Sequence, residues 1–266
     1  MNVITNFITE INGYKIFLRR EDLFGEGIKG NKFRKLKYNI LKAKTTKSNG
    51  LVTFGGAFSN HLYATALAGK IYGIKTYGVV RGVEWEKKIN ENPTLIKCIN
   101  FGMKLLFVSR KAYKIKNTYK FWSQINFSPD NLYIIPEGGT NSLAVKGTSE
   151  MIQKSDYFYD SLCCPVGTGG TIAGIIQGSG SNQKIIGFSS LNHKDLKNEI
   201  NKFISTRNFE LVDNYTFGGY AKSNSQLISF INNFKKKYSI QLDPIYSGKM
   251  LFGIFDKIEK GKWIWG

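Results

Sequence analysis

One junction recurs along this chain and restricts its fold more than any other feature. A short apolar, β-branched run meets a glycine turn, and an amphipathic stretch with helical spacing follows. LVTFGGAFSNHLYATALAGK (51–70), IIPEGGTNSLAVKGTSEM (134–151) and CCPVGTGGTIAGIIQG (163–178) each have this form. YKIFLRRE, KTYGVVRG, KLLFVSR, NLYIIPEGG and QKIIGFSS supply further strand candidates between helical patterns. Strand, glycine turn and helix in alternation predict an α/β fold on mostly parallel sheets, whose ligands gather at the carboxyl ends of the strands. Each junction also presents bare backbone amides at a helix amino end, an arrangement suited to anions. A chain of 266 residues with 42% apolar content can bury a core as one large domain or two lobes.

Composition excludes several chemistries. Cys98, Cys163 and Cys164 make an odd count with an adjacent pair, which suits neither a disulfide framework nor a zinc site, and reduced thiols fit the cytoplasm. Two histidines, His61 and His193, leave little for a metal cluster or a Ser-His-Asp site. No leader pattern opens the sequence, and no run approaches the roughly 20 apolar residues that span a bilayer. The net charge of +19 raises nucleic acid as a partner. The excess is nearly all lysine, scattered among Asn and Ile, with arginine only at positions 19, 20, 34, 81, 110 and 207. That is a solvated surface rather than a base-reading stripe, so neither nucleic acid nor membrane is expected as a partner.

Three segments could carry chemistry, and each has a duller reading. VGTGGTIAG matches neither the dinucleotide fingerprint nor the Walker pattern. Gly167, Gly169 and Gly170 would let backbone wrap a phosphate, with Thr168 and Thr171 adding hydroxyls; alternatively this is a tight turn with Thr171 as helix cap. In GGAFSNH, Ser59 and Asn60 could hold a carboxylate and a ring hydroxyl, or could serve only as helix caps beside a structural His61. In GIKGNKFRKLKYNILKAK (27–44), Phe33, Leu36, Ile40 and Leu41 recur at helical spacing. Asn31 would cap this helix, and Arg34, Lys35 and Lys42 would lie on its exposed face. Lys32 falls in the first turn, where the helix dipole lowers an amine pKa, as a Schiff-base lysine requires. Alone, it reads as surface charge.

Joined in order, REDLFGEGIKGNKFRKLKYN, GGAFSNH, EGGTN, GTGGTIAG and LDPIYSGKMLFG resemble one family over nearly the whole chain. It is the pyridoxal-phosphate enzymes comprising 1-aminocyclopropane-1-carboxylate deaminase and D-cysteine desulfhydrase. The resemblance implies a tryptophan-synthase-β-like, fold type II enzyme with two α/β domains and pyridoxal 5′-phosphate between them. Residues 1–46 and 136–266 would form the large cofactor-binding domain and 47–135 the small one. By resemblance, Lys32 would form the internal aldimine and shuttle a proton at the substrate. Asn60 would bond the ring oxygen, and Gly167, Thr168, Gly169, Gly170 and Thr171 would hold the phosphate. Ser59 would bind the substrate carboxylate, with His61 and Ser247 also binding substrate, and Tyr220 and Tyr246 would line the substrate side as catalytic residues, although each reads unaided as a core aromatic.

After the second tyrosine, cyclopropane deaminases of this family carry glutamate and D-cysteine desulfhydrases a small hydroxyl residue. Ser247 matches the second group. The expected reaction is therefore β-elimination from D-cysteine to pyruvate, sulfide and ammonia. Cyclopropane deamination is the alternative, and a silent cofactor-binding protein is the alternative of another class. The resemblance also implies a homodimer and a further strand with a His-Thr-Gly-Gly loop after DKIEKGK. This chain stops at KWIWG, so truncation is expected; a true end here would leave a core strand missing and Trp263, Ile264 and Trp265 as an exposed patch.

Overall fold

The computed structural model describes residues 3–204 and 209–263, and they form two compact units, 1–24 with 148–266 and 25–147. In chain order the elements are β1 (Thr5–Ile11), β2 (Tyr14–Arg19), α1 (Gly30–Thr45), β3 (Gly50–Gly56), α2 (Asn60–Tyr72), β4 (Thr76–Arg81), α3 (Pro93–Asn100) and β5 (Lys104–Val108). Then come α4 (Arg110–Tyr113), α5 (Tyr119–Gln124), β6 (Leu132–Ile135), α6 (Ser142–Ser149), β7 (Ser161–Val166) and α7 (Gly170–Gly178). The last are β8 (Lys184–Ser189), α8 (Leu196–Asn201), β9 (Glu210–Val212), α9 (Ser225–Tyr238) and α10 (Ser247–Glu259).

The unit at 25–147 is built on a four-stranded parallel sheet of order β5-β4-β3-β6. Strand β3 is central, which explains its unbroken apolar run: a strand covered on both faces needs no polar alternation. Leu51 joins one core with Ile28, Leu36, Ile40 and Ala43 before and along α1, Ala64 and Ala68 of α2, and Ile135. Val52 and Phe54 face the opposite way, packing with Tyr113, Phe121 and Trp122. Caps set the helix starts. Ser59 Oγ accepts from Leu62 N (3.3 Å), and Asn92 Oδ1 accepts from Thr94 N and Leu95 N, with Pro93 at the first helical position.

Because α1 packs into this core, the unit boundary falls at 24/25 instead of the expected 46/47, and at 147/148 instead of 135/136. The expected pattern along α1 needs correction at four residues. Arg34 and Lys35 are buried (6% and 2% exposed), whereas Leu41 is 56% exposed. The helix starts at Gly30 with Lys29 before it, so Asn31 lies inside the first turn and is not the cap. Lys35 can be buried because its charge has hydrogen-bond partners, described below.

The second unit carries a three-stranded parallel sheet, β7-β8-β9, and a separate antiparallel hairpin, β1-β2, turned at Asn12-Gly13 with both residues at positive φ. Ile8 and Ile16 of the hairpin enter the same core as Phe188 of β8, Leu227 and Ile231 of α9, and Leu251 and Ile254 of α10. Arg19 binds the hairpin's end to Asp156 (2.7 Å). Trp263 is buried in this core rather than exposed, and its carbonyl accepts from Tyr14 Oη; Ile264 and Trp265 lie outside the described residues. Among the described residues no helix is long and apolar enough to cross a membrane.

Phe54 is 1% exposed and meets the rings of Tyr113, Phe121 and Trp122 at 5.7–6.4 Å between centroids. Phe54→Ala is expected to cost about 3–5 kcal/mol in chemical denaturation. A loss below about 1 kcal/mol would mean that these rings do not form a packed core.

Candidate functional site

Lys32, Ser59, Asn60 and His61 all belong to the unit at 25–147. Lys32 is half-buried in the first turn of α1, and burial lowers its amine to about 8 from the ordinary lysine value. Ser59 spends a lone pair on Leu62 N and keeps its hydroxyl proton, while Asn60 opens α2 with an exposed side chain. Parallel pairing of β3 with β6 sets Thr53 beside Ile135, so the loops following these two strands leave the same edge of the sheet. The Thr53 hydroxyl donates to Ile135 O (2.9 Å) and therefore accepts from His61 Nε2 (2.8 Å), which fixes the proton on that nitrogen. Burial, assisted by the charges of Lys32 and Lys35, keeps the imidazole well below its usual pKa and hence neutral. Its ring edge lies against Gly139, where a Cβ would come within 2.8 Å of His61 Cε1. His61 thus braces the sheet edge from inside, 2% exposed.

The loop Glu137–Asn141 is anchored by residues that the sequence reading had set aside as surface or had not singled out. Lys35 Nζ donates to Gly138 O (2.9 Å) and Thr140 Oγ1 (3.1 Å). Asn39, fully buried, donates to Lys35 O, and its Oδ1 accepts from Asn141 Nδ2 (2.7 Å) and Tyr133 Oη (3.0 Å). Asn141 in turn caps α6 by accepting from Ala144 N. Lys32, Lys35 and Asn39 stand at i, i+3 and i+7, one stripe of the helix, and that spacing was the available signal.

The other unit holds Gly167, Thr168, Gly169, Gly170, Thr171, Tyr220, Tyr246 and Ser247. Helix α7 begins at Gly170, so Gly169, at φ 83° with no side chain to cap the helix, takes the place expected of Thr171. Backbone amides of this first turn stand at the positive end of the helix dipole, an arrangement suited to an anion. A Cβ on Gly169 would meet Ile200 Cγ1 at 2.7 Å. One on Gly167 would stand 3.3 Å from Tyr246 Cε1, which puts the tyrosine ring alongside the glycine turn. Tyr220 lies half-buried in the turn before α9.

Asp243 organises the start of α10. Its Oδ1 accepts from Ile245 N and Tyr246 N (3.0 and 2.6 Å), and its Oδ2 from Ser247 N and Ser247 Oγ (3.0 and 2.6 Å). Ser247 Oγ also accepts from Asp243 N (3.0 Å). The serine proton is therefore committed to Asp243 instead of facing a substrate, because four residues at a helix entry need those bonds. An Asp-Pro pair just ahead of Tyr-Ser was the sequence signal for this capping turn.

The description "Pyridoxal-phosphate dependent enzyme" matches residues 5–263. This chain belongs to that family. A putative 1-aminocyclopropane-1-carboxylate deaminase of Thermotoga maritima is 30% identical, with 94% of this chain and 86% of that protein aligned. The bifunctional D-cysteine desulfhydrase/1-aminocyclopropane-1-carboxylate deaminase, mitochondrial, of Arabidopsis thaliana is 27% identical over 96% of this chain and 70% of its own length. The crystal structure of an ACC deaminase homologue superposes with TM-score 0.80 at 25% identity, covering 98% of this chain and 86% of that one. The expected fold type II α/β architecture, and membership of the deaminase and desulfhydrase group, are thus met.

Pyridoxal 5′-phosphate is the cofactor of this pyridoxal-phosphate enzyme, and the residues present fit it. The glycine turn at 167–170 leads into α7 without a side-chain cap from Gly169, at the dipole end that suits a phosphate, and Lys32 has an amine of lowered pKa. Were Lys32 the residue that takes up the cofactor's aldehyde, only its neutral amine could do so. Since burial places the midpoint near 8, uptake by cofactor-free protein is expected to slow about tenfold per pH unit below 8 and to level off above it. Stopped-flow absorbance would follow this; a midpoint near 10 would mean that the amine is not desolvated. Ser247→Ala should lower stability by about 1 kcal/mol in denaturant titrations through loss of the Asp243 cap.

Proposed function

We propose that this enzyme is a lyase that converts D-cysteine and water to pyruvate, sulfide and ammonia. The observation that carries this reading is the start of α10. Beside Tyr246 stands a serine, and the neighbouring carboxylate, Asp243, is filled by three backbone amides and the serine hydroxyl. No acid is thereby offered at position 247 for the proton transfers of ring opening. A thiol leaving group has less need of one, because sulfide departs without prior protonation of a carbon.

The parts have distinct tasks. Amides of Gly167–Gly170, with the Thr168 and Thr171 hydroxyls, hold the 5′-phosphate at the positive end of α7. Asn60 donates to the ring oxygen. Ser59 donates its unspent hydroxyl proton to the substrate carboxylate. The Lys32 amine, lowered to about 8, moves the proton at the substrate α-carbon, since near that pH it can both accept and return one. Tyr246 covers the glycine turn, and Tyr220 borders the substrate. Ser247 acts by its small size, and His61 supports Ser59 and Asn60 through Thr53 without touching substrate. When bound, pyridoxal phosphate supplies the conjugated ring that accepts the electrons left at the α-carbon. Three free cysteines, two of them buried, accord with a reducing compartment such as the cytoplasm, and we extend the family's homodimer to this chain.

The second reading is cyclopropane deamination, favoured by the names of the relatives. Sulfide and pyruvate release from D-cysteine, set against 2-oxobutanoate release from 1-aminocyclopropane-1-carboxylate, separates the two. Sulfide is expected from wild type and at least about 10³-fold less from Lys32→Ala. Turnover of the cyclopropane with no sulfide from D-cysteine would overturn the proposal.

A further inference from the structure

The turn ahead of α9 has an unusual backbone. Phe217 (φ 51°), Gly218 (89°), Gly219 (112°) and Ala221 (56°) all adopt positive φ. The glycines do so freely, but Phe217 and Ala221 carry a Cβ, and such angles persist in them only where neighbouring contacts hold them. The contact here comes from α10. Lys249 Nζ donates to Thr216 O (2.8 Å) and to Gly219 O (2.7 Å), closing the turn from beneath.

Lys249 is expensive where it stands. Its side chain is 1% exposed, it lies in the first turn of α10 at the positive end of the helix dipole, and its hydrogen-bond partners are carbonyls rather than a carboxylate. Burial lowers its pKa from the usual lysine value, opposed by the charge of Asp243. Packing alone would be served better by methionine or leucine. What the amine adds is a fixed path for residues 216–219, with Tyr220 the next residue. The same helix start carries Tyr246, whose ring lies against Gly167.

We propose that Lys249 is a positioning residue that clamps the Thr216 and Gly219 carbonyls and so holds the Tyr220 phenol in its place on the substrate side of the enzyme. This rests on the role given above to Tyr220. Lys249 touches neither cofactor nor substrate, and its effect on turnover passes through the tyrosine.

The test uses protein loaded with pyridoxal phosphate, comparing wild type with Lys249→Met, Tyr220→Phe, Ser59→Ala and the double variants. Lys249→Met is expected to lower kcat for sulfide release from D-cysteine by about 10- to 100-fold, the usual scale for a misplaced group, with cofactor affinity retained. Adding Tyr220→Phe should then lower it little further, whereas adding Ser59→Ala should multiply the losses. In hydrogen exchange, amides of 216–222 should exchange faster in Lys249→Met while those of α7 keep their wild-type rates. If Lys249→Met does not fold, Lys249→Gln retains N–H donors and should show the same pattern in weaker form. Multiplicative losses for Lys249→Met with Tyr220→Phe, or unchanged exchange at 216–222, would overturn the proposal. If wild type releases no sulfide, the function proposed above fails, while the exchange comparison still decides whether Lys249 holds the turn.

Discussion

Parallel strands cannot be joined by tight hairpins, so each must be followed by a crossover, and every crossover leaves from the same edge of its sheet. Both parallel sheets among the described residues obey that constraint, and the candidate residues follow from it. The loops after β3 and β6 emerge together because Thr53 pairs with Ile135, and the loop after β7 emerges beside β8 because Val166 pairs with Ser189. Glycine at these exits then lets the chain turn tightly into each helix, so that backbone amides gather at its amino end. Chemistry-bearing residues far apart in sequence are neighbours by pairing within each sheet, before any side chain is considered.

In each unit a buried lysine ties down a glycine-rich loop. Lys35 grips the Gly-Gly loop at 138–140 and Lys249 the Gly-Gly turn at 216–219, each through oxygen acceptors of the loop it restrains. Glycine-rich loops fit closely around a ligand but lose much conformational entropy on ordering. An ammonium group with three donors can tie several acceptors at once, which no single neutral side chain of that length does. The +19 charge is therefore not all solvated surplus.

Much of the architecture was legible because its signals are local. The alternation of strands, glycine turns and helices gave the parallel sheets, and Ser59 caps its helix as its position suggests. The antiparallel hairpin is marked only by Asn12-Gly13 at its turn, because its strands are not followed by the glycine turn and helix that identify the parallel units. Arg34 and Lys35 were misjudged for a different reason. Helical periodicity assigns a charged residue to solvent by default, and only the long-range partners at 138 and 140 make a buried amine affordable. Likewise Ser247 was identified by type, while the bond that consumes its proton comes from Asp243, four residues earlier and visible only in the folded turn.

The Asp243 cap also bears on how such an enzyme could change its chemistry. A glutamate at 247 would meet a carboxylate already engaged with three amides, in the first turn of the same helix. It would forfeit the serine bond and set a second carboxylate beside the first. The turn that starts α10 is thus matched to a small hydroxyl at 247, whose bonds to Asp243 shape the backbone on which Tyr246 stands.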